Sequence, residues 1–186
     1  MKALSFKLPL DFRKWLEKNS ATSDGIWLRL FKKDSGKTSI TYAEALDQAL
    51  CFGWIDGQKQ AHDEHSWLQK FTPRRAKSGW SKINTQHAAR LAKTGQMTAA
   101  GLKEIEAARA DGRWKAAYDS SRNARPPEDF LRALDNHKTA KAFFETLNKA
   151  NIYSIVYRLQ TAKKAETREK RMKLILEMLA RGETFH

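Results

Sequence analysis

A thiol, an indole and a carboxylate stand close together in Cys51-Phe-Gly-Trp-Ile-Asp-Gly57, and two consecutive guanidinium groups follow at Arg74 and Arg75, with Trp80 and Ser81 beyond them. Consecutive arginines beside an aromatic ring and a hydroxyl can hold a phosphate or carboxylate bidentately, or stack against a base. Asp56 is suited to acid/base work or to orienting a neighbour, and equally to a structural ion pair with an arginine. These residue types predict an anion-binding pocket in which Trp54 is a wall, Asp56 an orienter, Arg74 and Arg75 a clamp, and Trp80 and Ser81 further lining. Cys51 and Asp56 are its catalytic candidates.

Cys51 also has a plainer reading. It follows Leu46 and Leu50 at helical spacing, as a small buried hydrophobe would. It falls where the helix ends, and the negative end of the helix dipole opposes a thiolate. His62-Asp-Glu-His65 offers two imidazoles on a turn, which falls short of a structural metal set, so no metal is expected. No Gly-rich phosphate loop, G-x-S-x-G elbow or C-x-x-C pair is present, and no cofactor is expected.

The elements that must carry these residues follow from pattern. Pro9 to Asn19 places Phe12, Trp15 and Leu16 on one helical face. Ile26 to Lys33 is a strand, bounded by turn residues. Thr41 and Glu44 form a capping box ahead of Leu46, Ala49 and Leu50, and Gly53 breaks that helix. Trp54 to Gln60 and Trp67 to Phe71 predict a hairpin around a turn that lacks glycine. Ile83 to Lys93 and a segment capped by Thr98 are helical. Ser120 to Pro127 is polar and proline-bearing, as a linker would be. Helices are then predicted from Phe130, from Phe143, from Ile152 and through Met172 to Leu179.

The expected fold class is therefore α+β: a small module over residues 1–119 with a short antiparallel sheet and helices, a linker at 120–127, and an all-helical module over 128–186.

The chain of 186 residues is 41% hydrophobic and 10% aromatic, which suits a packed core rather than disorder. Its formal net charge of +14 favours anionic partners. One cysteine excludes an internal disulfide. With no signal peptide and no long apolar run, the expectation is a cytoplasmic chain without a transmembrane segment. The positive charge is uneven. Gln69 to Lys93 carries seven basic residues and no acid, and Arg158 to Gly182 carries eight against three acids. Ile40 to Ser66 carries five acids and one lysine. The candidate partners are a small anion, an acidic protein and, third, a nucleic acid. No reaction is assigned.

The run Ser39-Ile-Thr-Tyr-Ala-Glu-Ala-Leu-Asp through Cys51-Phe-Gly-Trp-Ile-Asp-Gly57, with Phe71-Thr-Pro-Arg-Arg75 and Trp80-Ser-Lys-Ile-Asn84, resembles the YdeI/OmpD-associated family. Ala142-Phe-Phe, Tyr153-Ser-Ile-Val-Tyr-Arg158, Thr161-Ala-Lys-Lys and Glu166-Thr-Arg168 extend that resemblance over nearly the whole chain. The resemblance implies a link to bacteriocin protection or stress resistance, and an N-terminal module like the YjbR/CyaY proteins. It brings no catalytic residues with it.

Overall fold

The structure, a computed structural model, describes residues 3–185. It is α+β, with a three-stranded antiparallel sheet and eight helices among those residues. The chain divides into two compact units, residues 1–80 with 84–116, and residues 81–83 with 117–186.

The first unit is built on alternation. Strand β1 (Ile26–Phe31) alternates buried and half-exposed residues along its whole length. Strands β2 (Trp54–Asp63) and β3 (Ser66–Pro73) form the hairpin, and the sheet order is β1-β3-β2. Directly opposed residues share a face. The pairs Ile26↔Phe71 and Leu28↔Gln69 therefore point inward, and Trp27↔Lys70 and Arg29↔Leu68 point outward.

Helices α1 (Pro9–Asn19) and α2 (Tyr42–Cys51) cover the inward face. Phe12 packs on Phe71 with centroids 5.9 Å apart, and Trp15 meets Trp54 edge-on at 5.9 Å. The capping box forms as expected: the Glu44 amide donates to Thr41 Oγ1, and the Thr41 amide donates to the Glu44 carboxylate. Gln69 is a buried polar exception, 3% exposed. Its amide donates to the carbonyls of Gly57, Gln58 and Lys70, where the register of β2 shifts between Asp56 and Lys59. The side chain thus satisfies carbonyls that the bulge removes from the ladder.

The hairpin turn needs no glycine because Asp63 replaces it. Its carboxylate accepts from the His65 amide at 2.9 Å and the Ser66 hydroxyl at 2.6 Å. This is the local side-chain turn that aspartate forms readily. Both strands run longer than their sequence pattern, Trp54–Asp63 and Ser66–Pro73 against the expected 54–60 and 67–71. Polar residues Gln58 to Asp63 can extend a strand whose side chains remain in water.

After α2, Gly53 turns the chain at φ 73°, and its carbonyl accepts from the Arg74 amide. Helix α3 (Lys82–Lys93) and helix α4 (Ala99–Ala110) follow. Thr98 caps α4, and its amide and hydroxyl both donate to the Cys51 carbonyl.

The second unit is helical: α5 (Glu128–Asp135), α6 (Lys138–Phe144), α7 (Lys149–Gln160) and α8 (Ala165–Ala180). The predicted stripes meet in one core of Phe130, Leu134, Ala140, Ile155, Leu159, Ile175, Leu176 and Leu179. Asp129, in the first turn of α5, pairs with Arg168 of α8. No helix among the described residues is long and apolar enough to cross a membrane.

The approach of α4 to α2 depends on Gly101. A Cβ there would lie 2.4 Å from the Cys51 carbonyl oxygen and 2.8 Å from that of Leu50. Both obstacles are backbone. Gly101→Ala should therefore destabilise the protein by about 1–3 kcal/mol through overpacking, outweighing the ~1 kcal/mol that alanine gains over glycine in a helix. Urea denaturation checks this, and an unchanged or raised midpoint would contradict it.

Candidate functional site

The structure brings Trp54, Arg74 and Trp80 near one another but buries all three, so they do not line an open pocket. Trp54 is 1% exposed and its indole N–H donates to the Ser20 carbonyl at 3.3 Å, so it is core rather than wall. Arg74 is 8% exposed, with its guanidinium carbon 3.5 Å from the centroid of Trp80. It donates to the Ser78 hydroxyl and the Gly79 carbonyl. Trp80 is itself buried, with its ring centroid 5.1 Å from that of Trp114.

Arg75, by contrast, is exposed. With Arg74 buried against Trp80 and Arg75 in water, the two do not present a paired clamp. Arg74 instead holds the loop leading to Trp80. Ser81 is grouped with the second unit and bridges to Tyr118 there.

Asp56 is half-buried on the inward face, opposite Phe71. Its carboxylate accepts from Tyr42 Oη at 2.7 Å and from Asn84 Nδ2 at 3.4 Å. The acid thus ties β2 to α2 and α3. Cys51 is fully buried, and that burial pushes its thiol above the ordinary value despite the nearby Arg13. A nucleophile needs the thiolate and access to it, and Cys51 has neither. His62 and His65 gather no metal set, and no group of three or more His, Cys, Asp or Glu residues with metal-binding geometry occurs among the described residues.

What does face water is the outward side of the sheet. Trp27, Arg29 and Phe31 from β1, Leu68, Lys70 and Thr72 from β3, and Ile55 from β2 are all half-exposed. The cations lie over the rings: Arg29 is 4.8 Å from the Phe31 centroid, Lys37 is 5.7 Å from the same ring, and Lys70 is 5.7 Å from that of Trp27. The surface combines π faces with positive charge, the two components that bind single-stranded nucleic acid without sequence readout. Asp63 sits at the hairpin end of this face and pairs with Arg29.

Of the aromatic and cationic residues of this face only Lys70 falls in a segment singled out from the sequence, the basic run Gln69 to Lys93. Their signal was present in the alternation Trp27, Arg29, Phe31, interleaved with the apolar Ile26, Leu28 and Leu30. Apolar residues on both faces hid it, because the run then reads as uniformly apolar apart from Arg29.

Residues 4–104 match the family model described as Domain of unknown function (DUF8412). Residues 123–182 match the model described as Bacteriocin-protection, YdeI or OmpD-Associated. The YdeI/OmpD match is thus confined to the helical segment, where the sequence resemblance extended over nearly the whole chain. No curated protein and no solved structure matches the chain.

Asp63 also makes the face sensitive to pH. The Ser66 hydroxyl, then the His65 amide and Arg29, hold its carboxyl at about 2, below the ordinary 3.8. A carboxylate with a depressed folded-state value contributes stability above its unfolded value and loses it as pH falls through the folded one. Protection of the His65 amide against hydrogen exchange, taken relative to the unfolded rate at the same pH, should therefore hold down to about 3.8 and fall as the pH drops to about 2. Asp63→Asn should lack that acid-side step. A loss of protection at the same amide near neutral pH would contradict this assignment.

Proposed function

The chain belongs to the family of the Domain of unknown function (DUF8412), whose model spans residues 4–104, and on that footing we propose that it is a binding protein for a polyanionic partner rather than an enzyme, taking single-stranded nucleic acid across the open face of its sheet. The single observation that carries the reading is the outward row Trp27, Arg29, Phe31 and Lys70, aromatic and cationic side chains alternating on a face that stays half-exposed. Base–aromatic stacking is tolerant of sequence because every base has a π face. The net charge of +14 supplies the attraction to phosphates.

In this reading Arg75, exposed just past the end of β3, supplies a phosphate contact. That is the part of the expected small-anion site carried forward. The acidic-protein partner ranks lower, because an acidic peptide would use the lysines but leave Trp27 and Phe31 without a role. The finer fold assignment, a YjbR/CyaY-like unit, belongs to the same proposal; a small antiparallel sheet covered by helices on one face supports it. A cytoplasmic setting and a part in bacteriocin protection or stress resistance belong to the proposal as well, the latter suggested by the family description of residues 123–182.

Fluorescence anisotropy with a labelled single-stranded oligonucleotide tests the reading. Binding should appear at ~50 mM salt and weaken steeply as salt rises. Trp27→Leu and Phe31→Leu keep apolar cover over the sheet and should each weaken binding by roughly 5- to 150-fold, the equivalent of about 1–3 kcal/mol of stacking. Lys70→Ala should reduce the salt slope by about 1. No binding at ~50 mM salt, or full binding by Trp27→Leu, would overturn the reading.

A further inference from the structure

The helical unit carries a second unassigned site. A groove of about 270 Å³ is lined by Tyr157, Arg158, Thr161, Arg171, Leu174, Ile175 and Phe185. At roughly 30 Å³ per water, this is room for about nine waters or one small organic molecule.

Two arginines of this groove differ from the paired cations of the unit. Arg168 pairs with Asp129, Lys170 with Glu166, Arg181 with Glu183, Arg132 with Glu128 and Lys141 with Asp135. Arg158 and Arg171 pair with no carboxylate among the described residues, although both are half-buried and firmly placed. Arg158 donates through Nη1 to the Ser154 carbonyl and hydroxyl, and its guanidinium carbon lies 3.7 Å from the Phe185 centroid. Arg171 donates through Nη1 to the Arg158 carbonyl at 2.7 Å and to Thr161 Oγ1 at 3.4 Å.

Among the described residues the bonds of both arginines use Nη1 and leave the Nε–Nη2 edge, which matches a carboxylate bidentately. Holding the two side chains in place beforehand lowers the entropy that binding would otherwise cost. The rest of the wall is apolar. Leu174 and Tyr157 are exposed, Ile175 forms the floor and Phe185 closes one side. Tyr157 is fixed in turn by Tyr118, ring centroids 5.0 Å apart.

We infer that this groove binds a small organic carboxylate with an apolar body, its carboxylate on Arg158 and Arg171 and its body against Leu174, Ile175 and Phe185. The charge of the two arginines excludes a neutral hydrophobic ligand as the best fit. The apolar side chains Leu174, Ile175 and Phe185, which offer no hydrogen bonds, disfavour inorganic phosphate, whose oxygens need polar partners on all sides. This inference is independent of nucleic-acid binding, which uses the other unit.

Isothermal titration of the full chain with 3-phenylpropionate, 3-phenylpropan-1-ol and inorganic phosphate tests it. The acid should bind, and the alcohol and phosphate should bind at least about tenfold more weakly, since a lost charged hydrogen bond is worth that much. Leu174→Asp places a carboxylate three residues along α8 from Arg171 and should abolish binding of the acid. Leu174 is 48% exposed, so this change leaves the core intact. Arg171→Lys keeps the charge but not the fork, and should weaken the acid by about tenfold. Equal binding of acid and alcohol, equal binding of acid and phosphate, unaltered binding by Leu174→Asp, or no heat from the acid at about 10 mM would each overturn the inference.

Discussion

The packing of Phe12 on Phe71, both at 0% exposure, decides which side of the sheet is interior. Side chains alternate along a strand, so anchoring one residue fixes the facing of all the rest. Once Phe71 points toward α1, Gln69 must point the same way and fill the bulge, while Lys70 and its partner Trp27 must point away. Truncation of a buried aromatic costs about 3–5 kcal/mol, a large share of the ~5–15 kcal/mol that holds a typical domain folded. The open face is thus the geometric remainder of a well-anchored core, and its composition is free to serve binding.

That separation of roles explains why the most conspicuous sequence constellation is structural. Cys51, Trp54, Arg74 and Trp80 each carry groups that could do chemistry, yet all four lie within the core or its loop supports. Trp54 reaches a carbonyl of the α1 terminus, and Arg74 stacks on Trp80. The Cys51 carbonyl, rather than its sulfur, does the work of joining α2 to α4 through Thr98. Basic and aromatic residues close in sequence suggest a cleft because a guanidinium binds an anion and a ring stacks on a base. A guanidinium lying flat on an indole is equally a way to bury an arginine next to an aromatic core.

Much of the local structure was legible. Helix α1, the Thr41–Glu44 capping box, the break at Gly53, the hairpin and the helical stripes through Ile152–Leu159 and Met172–Leu179 follow from spacing and cap chemistry, which act over a few residues. What was not legible is non-local. Nothing in Ile26–Phe31 states that it pairs with β3 rather than β2, and strand order then determines that Trp27 lies beside Lys70. The Asp63 turn was hidden because its hydrogen bonds to His65 and Ser66 stand in for a glycine. In the helical unit, Arg158 and Arg171 stand on separate helices, and their shared groove appears only when α7 packs on α8.

The central claim is that the side of the sheet turned away from Phe12 is a binding surface. Backbone and indole chemical shifts of the ¹⁵N-labelled chain, followed while a short oligo(dT) strand is added at low salt, address it residue by residue. The account predicts the largest changes at Trp27, Arg29, Phe31, Leu68 and Lys70, with Phe12, Leu28 and Phe71 little moved. Changes confined to α8 or to other lysine-rich surface, with β1 and β3 silent, would contradict it.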